Sequence, residues 1–429
     1  MNLDEFISRF VGEKEAALLR PSASQIAAAT KDYGYMEVYA YPSVDSVLAA
    51  AILASTFARN NVGFTLYFTA APPAASDAPM LLLGYPSSLA SELSPRKPSA
   101  LIGFGEVPQG LLSVAVTSHT SSSIAGLLVG VLSEITVVGP PAVYSVVAGY
   151  WRGLDVGKKG EFTGIENGII ETLKLENRVE EHFSLRLFRW LFEPTEEALH
   201  LTLEPYLPGI TGRPEEARRL LEEDPRLSPL IGKTLEEAPE QAVATLGEKL
   251  YVMLKEASSV PRRPSELIGI THYSRPAPLQ DLREAAIALA VYGEKHGAAA
   301  LASLGVAEDL VAAAAYYTYH ESIPSIVDAV EANLSRKRPP LKRSGPFTVA
   351  LLERVGDAPL LPVERILRKL GVIRGQEVAG YQLDGSTALV SMESLLYSQG
   401  LGAVREAIDS KCLRYREGEL LGEIRLGCQ

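Results

Sequence analysis

Residues 36–59 read MEVYAYPSVDSVLAAAILASTFAR. The first six are dominated by apolar and aromatic side chains, as in a strand. Pro42 and Ser43 interrupt the run, and from Ser46 onward small and apolar residues recur at helical spacing. A strand that passes at once into a helix is half of a parallel β/α repeat, and the pattern continues. Strand-like runs follow at 64–69, 80–84 (MLLLG), 112–117 (LSVAVT) and 135–138, with helical patterns at 122–133 and 141–151. Runs that are apolar on consecutive residues suit strands buried on both faces. Strand and helix in alternation predict an α/β fold with a parallel sheet flanked by helices.

From about residue 160 the pattern turns helical, at 165–175, 179–191, 235–256 (broken by Pro239), 281–300 and 308–319. Pro214, Glu215 and Glu216 after Arg213 look like a helix start, with proline and acids in the first turn. Residues 335–346 (SRKRPPLKRSGP) hold five basic residues, three prolines and no acid, as in a linker. Beyond it, strands expected at 347–353 and 387–392 and short helices at 362–370 and 403–408 predict a small C-terminal α/β domain. The expected organisation is a first α/β domain over 1–215, a mainly helical middle region over 216–334, a basic proline-containing linker over 335–346 and the small domain over 347–429.

The composition narrows the class. At roughly 100–200 residues per domain, 429 residues make two to four domains. Hydrophobic residues at 47% and charged residues at 22% exclude disorder as the main state. A net charge of −11 excludes a general nucleic-acid coat, so any such contact must come from a local patch. Cys412 and Cys428 form no CxxC pair, which is read as excluding a zinc ribbon or a disulfide framework. No basic-then-apolar leader stands at the start. The apolar stretch 123–151 is broken by Ser133, Glu134 and Gly139-Pro140-Pro141, so no membrane span and a cytoplasmic location are expected.

Open parallel sheets bind ligands beyond the carboxyl ends of their strands. The first strand is followed by Tyr41-Pro42-Ser43-Val44-Asp45-Ser46, the MLLLG run by Tyr85-Pro86-Ser87-Ser88 and the LSVAVT run by Ser118-His119-Thr120-Ser121. The last helix of this part ends in Tyr150-Trp151-Arg152. Asp45 reads either as a helix cap or as a metal ligand. His119 reads as a hydrogen-bonded loop histidine or as a ligand. The hydroxyl-rich residues 117–123 read as an ordinary cap or as a phosphate cradle at a helix N-terminus. His182, His200, His272, His296 and His320 are scattered, and no HExxH, P-loop, GxGxxG after the first strand or GxSxG string occurs.

In order and spacing, these strings resemble degraded motifs of the DHH phosphoesterase superfamily, which includes the RecJ single-strand exonucleases. The resemblance spans roughly residues 35–215, and Gly164-Ile165-Glu166-Asn167 and the string from Glu204 to Gly212 are similar to archaeal RecJ-like proteins. Against the family's His-x-Asp-x-Asp-Gly, this chain has Tyr41, Ser43, Asp45 and Ser46, keeping only the last aspartate. Gly84 stands at the second motif's aspartate. Ser118, His119 and Thr120 stand at the Asp-His-His motif, and Tyr150 or Trp151 at the fourth aspartate. Hydrolysis by two divalent ions needs several anionic oxygens and imidazoles. Within residues 1–150 the aspartates are Asp4, Asp32, Asp45 and Asp77, and the histidine is His119. The expectation is therefore no catalytic residue, no metal and no cofactor.

The resemblance implies a purpose for such a chain. The eukaryotic replicative helicase holds a catalytically silent RecJ relative that, with the GINS complex, clamps onto the MCM motor in the CMG assembly. A scaffold of the archaeal replisome is implied here, with the GINS complex and MCM helicase as partners and single-stranded DNA as a further contact. The C-terminal part is DHH-associated-like by position and strand pattern, yet residues 347–429 contain no histidine, so the Gly-Gly-Gly-His motif of such domains is missing. Arg336, Lys337, Arg338, Lys342 and Arg343 read as a solvated spacer or as a track for a nucleic-acid backbone, which Arg262-Arg263 and Arg414-Tyr415-Arg416 could extend. The alternative is an active metal-dependent phosphoesterase or single-strand exonuclease with atypical ligands. Glu161, Glu166 and Glu171 are candidates for it, though they also fit an ordinary helix-start charge pattern.

Overall fold

Helix α1 (Glu13–Tyr33) leads into a sheet of five parallel strands, β1 (Tyr35–Ala40), β2 (Gly63–Phe68), β3 (Met80–Pro86), β4 (Ser99–Phe104) and β5 (Ala115–Ser118). Their order is β2-β1-β3-β4-β5. The structure is a computed structural model that describes residues 13–107, 114–274, 279–336 and 338–428. Successive side chains of a strand point to opposite faces. Val38, Ala40, Leu81, Leu83, Ala100 and Ile102 accordingly join one buried cluster with α1, α2 (Val44–Arg59), α3 (Ile124–Ser133) and α4 (Val143–Arg152). Tyr39, Tyr41, Met80, Leu82, Leu101 and Val116 join a second cluster on the other face.

The middle of the chain comprises α5 (Ile165–Leu175), β6 (Val179–Leu185), α6 (Thr195–Leu201), α7 (Pro214–Glu222), α8 (Glu240–Ala257), β7 (Ile268–Ser274), α9 (Leu282–His296), α10 (Ala298–Ala302) and α11 (Glu308–Ser335). Strands β6 and β7 pair antiparallel, and with α6–α8 they enclose a separate core around Trp190, Leu199, Leu246 and Leu250. Helices α9 and α11 instead extend the helical layer of the first sheet. Among the described residues, no helix is long and apolar enough to cross a membrane.

The C-terminal part contains β8 (Leu341–Ser344), β9 (Phe347–Leu352), α12 (Leu360–Lys369), β10 (Val378–Gln382), β11 (Thr387–Ser391), α13 (Met392–Asp409), β12 (Leu413–Tyr415) and β13 (Leu421–Arg425). Its six-stranded sheet has the order β12-β13-β11-β10-β9-β8, with β9 and β10 parallel and the other pairs antiparallel. Phe347, Val349, Met392, Leu395 and Leu396 share the second cluster with Tyr41, Leu82 and Tyr85. The C-terminal part therefore covers the face of the parallel sheet that its helices leave open, which is why those strands are apolar on both sides.

Several elements depart from the sequence reading. Residues 135–138 form no strand, because the Ile135 and Thr136 amides donate back to Leu132 O at 3.0 and 2.9 Å and finish α3. The expected helix 179–191 begins instead as strand β6, paired in register with β7 from Val179↔Ser274 to Leu185↔Ile268. Strand β4 was not expected. Of the run 112–117, residues 112 and 113 lie outside the described residues. The segment 335–346 is not all linker, since β8 lies within it as an edge strand on β9. Its Lys342 and Arg343 are exposed there, as suits an edge that must not pair further. A disulfide joins Cys412 and Cys428, whose Cα atoms are 5.8 Å apart. Their spacing carries no motif. Pairing of β12 with β13 brings them together, and Arg425 N donates to Cys412 O at 2.8 Å.

Candidate functional site

The register of the parallel sheet aligns Ala40 with Leu83, Leu83 with Ile102 and Ile102 with Thr117. The next residues, Tyr41, Gly84, Gly103 and Ser118, form the carboxyl edge where a ligand site is expected. Three of the four are residues singled out in the sequence. The fourth belongs to β4, which separates β3 from β5. The Ser118-His119-Thr120 triplet thus lies one strand further from Gly84 than expected, and Gly103 is the neighbour of Gly84.

Side chains and backbone already fill this edge. Gly84 has φ +77°, and a Cβ on it would land on Ser46 Oγ and 2.9 Å from Ser46 Cβ. The hydroxymethyl group of Ser46 therefore takes the space a side chain at 84 would need. Gly103 is closed likewise, because a Cβ there would land on the Tyr85 carbonyl oxygen and 2.8 Å from Leu101 Cδ2. Tyr41 and Tyr85, both fully buried, meet edge to face with ring centroids 5.8 Å apart. Tyr41 OH donates to Met392 O at 2.8 Å, tying the first strand to the C-terminal domain, and Tyr85 OH donates to Thr69 O at 2.7 Å.

Asp45 is buried, and both its oxygens are engaged. Ile124 N donates to Oδ2 at 2.9 Å and Ala125 N to Oδ1 at 3.0 Å, so the carboxylate caps α3 rather than its own helix. Ser43 caps α2, accepting from Ser46 N at 3.3 Å, with the two hydroxyls 2.8 Å apart. Burial pushes the Asp45 carboxyl above its ordinary range, opposed by the Arg152 guanidinium and the two amide donors. Glu166 lies beside it, accepting from Ser123 N at 2.6 Å and Ser123 Oγ at 2.7 Å while Oε2 has no partner. Desolvation pushes the Glu166 carboxyl up to about 7 against the Ser123 hydrogen bonds, and the neighbouring Asp45 adds to the rise.

The fourth motif position points into a different opening. Trp151 Nε1 donates to Glu393 Oε2 at 3.1 Å, and the Arg365 guanidinium lies 5.1 Å from the Trp151 ring centroid. Arg365 also grips Glu204 through two hydrogen bonds of 2.6 and 3.0 Å and donates to Tyr150 O at 2.8 Å. Arg152 lies over the Tyr397 ring at 4.6 Å. Between α4, α12 and α13, Trp151, Arg365, Glu393 and Tyr397 line a cavity of about 380 Å³.

Other expected site residues are dispersed. Ser118 Oγ donates to Gly105 O, Thr120 is exposed, and His119 Nδ1 lies 2.8 Å from Ser121 Oγ as a loop histidine. Among the described residues no group of three or more His, Cys, Asp or Glu side chains is placed to hold a metal ion. Two divalent ions do not fit this donor set, because Asp45 is committed to two amides and Glu166 to Ser123. The described members of the basic string have different surroundings. Arg336 pairs with Glu353, Arg338 pairs with Glu377 at 3.2 Å, and Lys342 and Arg343 are consecutive on β8 and so point to opposite faces. Lys337 lies outside the described residues.

Comparison with solved structures places this architecture. The crystal structure of CDC45 from Entamoeba histolytica matches with a TM-score of 0.57 at 11% identity, covering 99% of this chain and 96% of that one. The chain shares the fold of CDC45. A crystal structure of exonuclease RecJ bound to manganese aligns with a TM-score of 0.43 at 10% identity, covering 95% of this chain and 90% of that one. RecJ in complex with Mn2+ from Thermus thermophilus aligns at 0.40 and 11% identity, covering 96% and 52%. No protein-family model and no curated protein sequence matches the chain. The CDC45 fold accounts for the parallel sheet and the small C-terminal sheet together. The sequence reading missed Arg365 and Glu393 as residues that shape this region and named Ser46, Tyr85 and Glu204 only as members of local strings.

Proposed function

We propose that this chain is a non-catalytic RecJ-like scaffold subunit of an archaeal DNA replication machinery. It binds the GINS complex and through it the MCM helicase, with single-stranded DNA as a further contact. The contact between Ser46 and Gly84 carries the reading: the Ser46 hydroxymethyl group fills the space that a Cβ at position 84 would need, so no side chain can stand at that strand end without a rearrangement. The capping role of Asp45 supports it, as does the Arg152 guanidinium, a fixed positive charge acting on both Asp45 and Glu393. The partners follow from the family resemblance and from the fold shared with CDC45.

The test has two arms. Purified full-length protein is incubated with manganese and labelled single strands, and no cleavage above background is expected. It is then mixed with GINS at micromolar concentration on a sizing column, and co-elution is expected. Robust cleavage that disappears in Asp45→Ala overturns the non-catalytic half, and unshifted elution overturns the partner half. One observation favours the phosphoesterase alternative, namely that Asp45 and Glu166 are neighbouring buried carboxyls and Glu166 Oε2 has no partner. Cleavage lost in both Asp45→Ala and Glu166→Gln would establish that alternative.

A further inference from the structure

A second cavity, of about 220 Å³, opens where the first domain, the middle region and the C-terminal domain meet. Six cationic residues line it: Arg186, Arg262, Arg263, Arg283, Arg368 and Lys369. Its acidic residues are three, Asp155, Glu204 and Glu266. Partners just outside do not restore the balance, because Arg365 draws on Glu204 while Glu364 answers Arg368. The excess of positive charge is largely buried. Arg186 and Arg283 are 2% and 6% exposed.

The guanidinium groups are incompletely satisfied. Arg186 reaches Ser265 O at 2.9 Å and pairs with Asp155, but its buried Nε–H has no acceptor. Arg262 donates to Lys369 O at 2.7 Å and pairs with Glu266 at 2.7 Å, and its buried Nε–H also has no acceptor. Arg283 donates to the carbonyl oxygens of Arg186 and Glu204, and among the described residues no carboxylate makes an ion pair with it. Desolvation, followed by the charge of Arg186, pushes the Arg283 guanidinium down to about 10. Buried cations of this kind are costly unless an anion joins them.

We propose that this cavity is a binding site for a phosphoryl oxyanion, held by Arg186, Arg262 and Arg283 at its buried side and by Arg263 at its mouth. Guanidinium groups bind phosphate oxygens through charge-assisted hydrogen bonds with matching geometry. Ligand pockets for drug-sized molecules span roughly 300–1,000 Å³, so this smaller space suits a phosphate group rather than a whole nucleoside. The phosphate can be free or part of a nucleic-acid strand, and the chemistry is the same. The site is separate from the strand-end edge and does not depend on the scaffold reading.

The test uses full-length protein and titration calorimetry with potassium phosphate against potassium chloride at matched ionic strength, with thermal unfolding in parallel. Saturable heat and a phosphate-specific rise in melting temperature are expected. Losing one charge-assisted hydrogen bond weakens binding by roughly tenfold or more, so Arg262→Gln should bind about tenfold more weakly. Arg263→Gln, at a side chain half exposed in the native protein, should bind several-fold more weakly. A single-stranded oligonucleotide with a 5′-phosphate, the same strand with a 5′-hydroxyl, and free phosphate sort the source. Absence of a saturable phosphate signal, or equal affinity in wild type and both variants, overturns the proposal.

Discussion

Replacing Gly84 by alanine tests directly whether Ser46 occupies the space that a side chain at position 84 would need. The perturbation adds one methyl group at φ +77°, aimed at Ser46 Oγ and 2.9 Å from Ser46 Cβ. A left-handed backbone costs a non-glycine residue about 1–2 kcal/mol. Forcing a methyl group into a packed interior costs about 1–3 kcal/mol. Turning Ser46 away also breaks its contact with Ser43 Oγ at 2.8 Å, about 1 kcal/mol for a typical hydrogen bond. The single substitution should therefore cost about 3–6 kcal/mol, a large share of a domain stability of about 5–15 kcal/mol.

The decisive measurement is the double-mutant cycle with Ser46→Gly, followed by denaturant unfolding. Ser46→Gly removes both the obstruction and the hydroxyl, so Gly84→Ala in that background should cost only the backbone strain. The coupling between the two changes is then about 2–4 kcal/mol, well above the roughly 0.3–0.5 kcal/mol scatter of independent sites. If the two costs simply add, Ser46 is not what closes position 84, and the central argument about this edge fails.

Other expectations follow from buried groups. The Glu166 carboxyl moves from an ordinary 4.5 to about 7 on folding, so the folded state holds its proton over a window in which the unfolded state has lost it. Stability should fall as pH rises from 4.5 to about 7, by roughly 3 kcal/mol at 1.36 kcal/mol per unit, and Glu166→Gln should flatten that slope in pH-dependent unfolding. Tyr41→Phe removes the hydroxyl's hydrogen bond to Met392 O and should cost about 1 kcal/mol in thermal unfolding. Arg365→Ala abandons Glu204 beside Lys369 alone and should cost about 3 kcal/mol, read from the denaturant midpoint. Reducing the Cys412–Cys428 bond, which spans 16 residues, should cost about 3 kcal/mol in the chain-entropy picture, seen as a lower midpoint with a reductant present.

What could be read from the residues followed the strength of local pattern. The strand-to-helix passage at 36–59 was legible because an apolar run and a helical period meet at Pro42-Ser43, and Ser43 does cap α2. Strand β6 was not, because VEEHFSL over 179–185 gives a mixed period, and its pairing with β7, some ninety residues away, decides it. At the site, Asp45 was legible as a cap, but the helix it serves lies nearly eighty residues further on, a relation only folding reveals. Ser46 and Gly84 stood in the sequence as separate departures from a motif. Their contact is tertiary and left no mark in either local string.

The replacements also make physical sense as a set. The face of the parallel sheet that carries Tyr41, Leu82 and Tyr85 is sealed by Met392, Leu395 and Leu396 of the C-terminal domain. An ionised carboxylate in that seam, with no cation to answer it, would carry an effective desolvation penalty of several kcal/mol. Tyr41 and Tyr85 fill this seam with large apolar rings, and their hydroxyls reach backbone carbonyls, Met392 O for Tyr41 and Thr69 O for Tyr85. Glycine at 84 and 103 lets the strand ends close upon themselves. A seam of this composition binds the C-terminal domain through packing and neutral hydrogen bonds. Restoring one acidic residue would add a buried charge to that seam without assembling the ligand set that could use it.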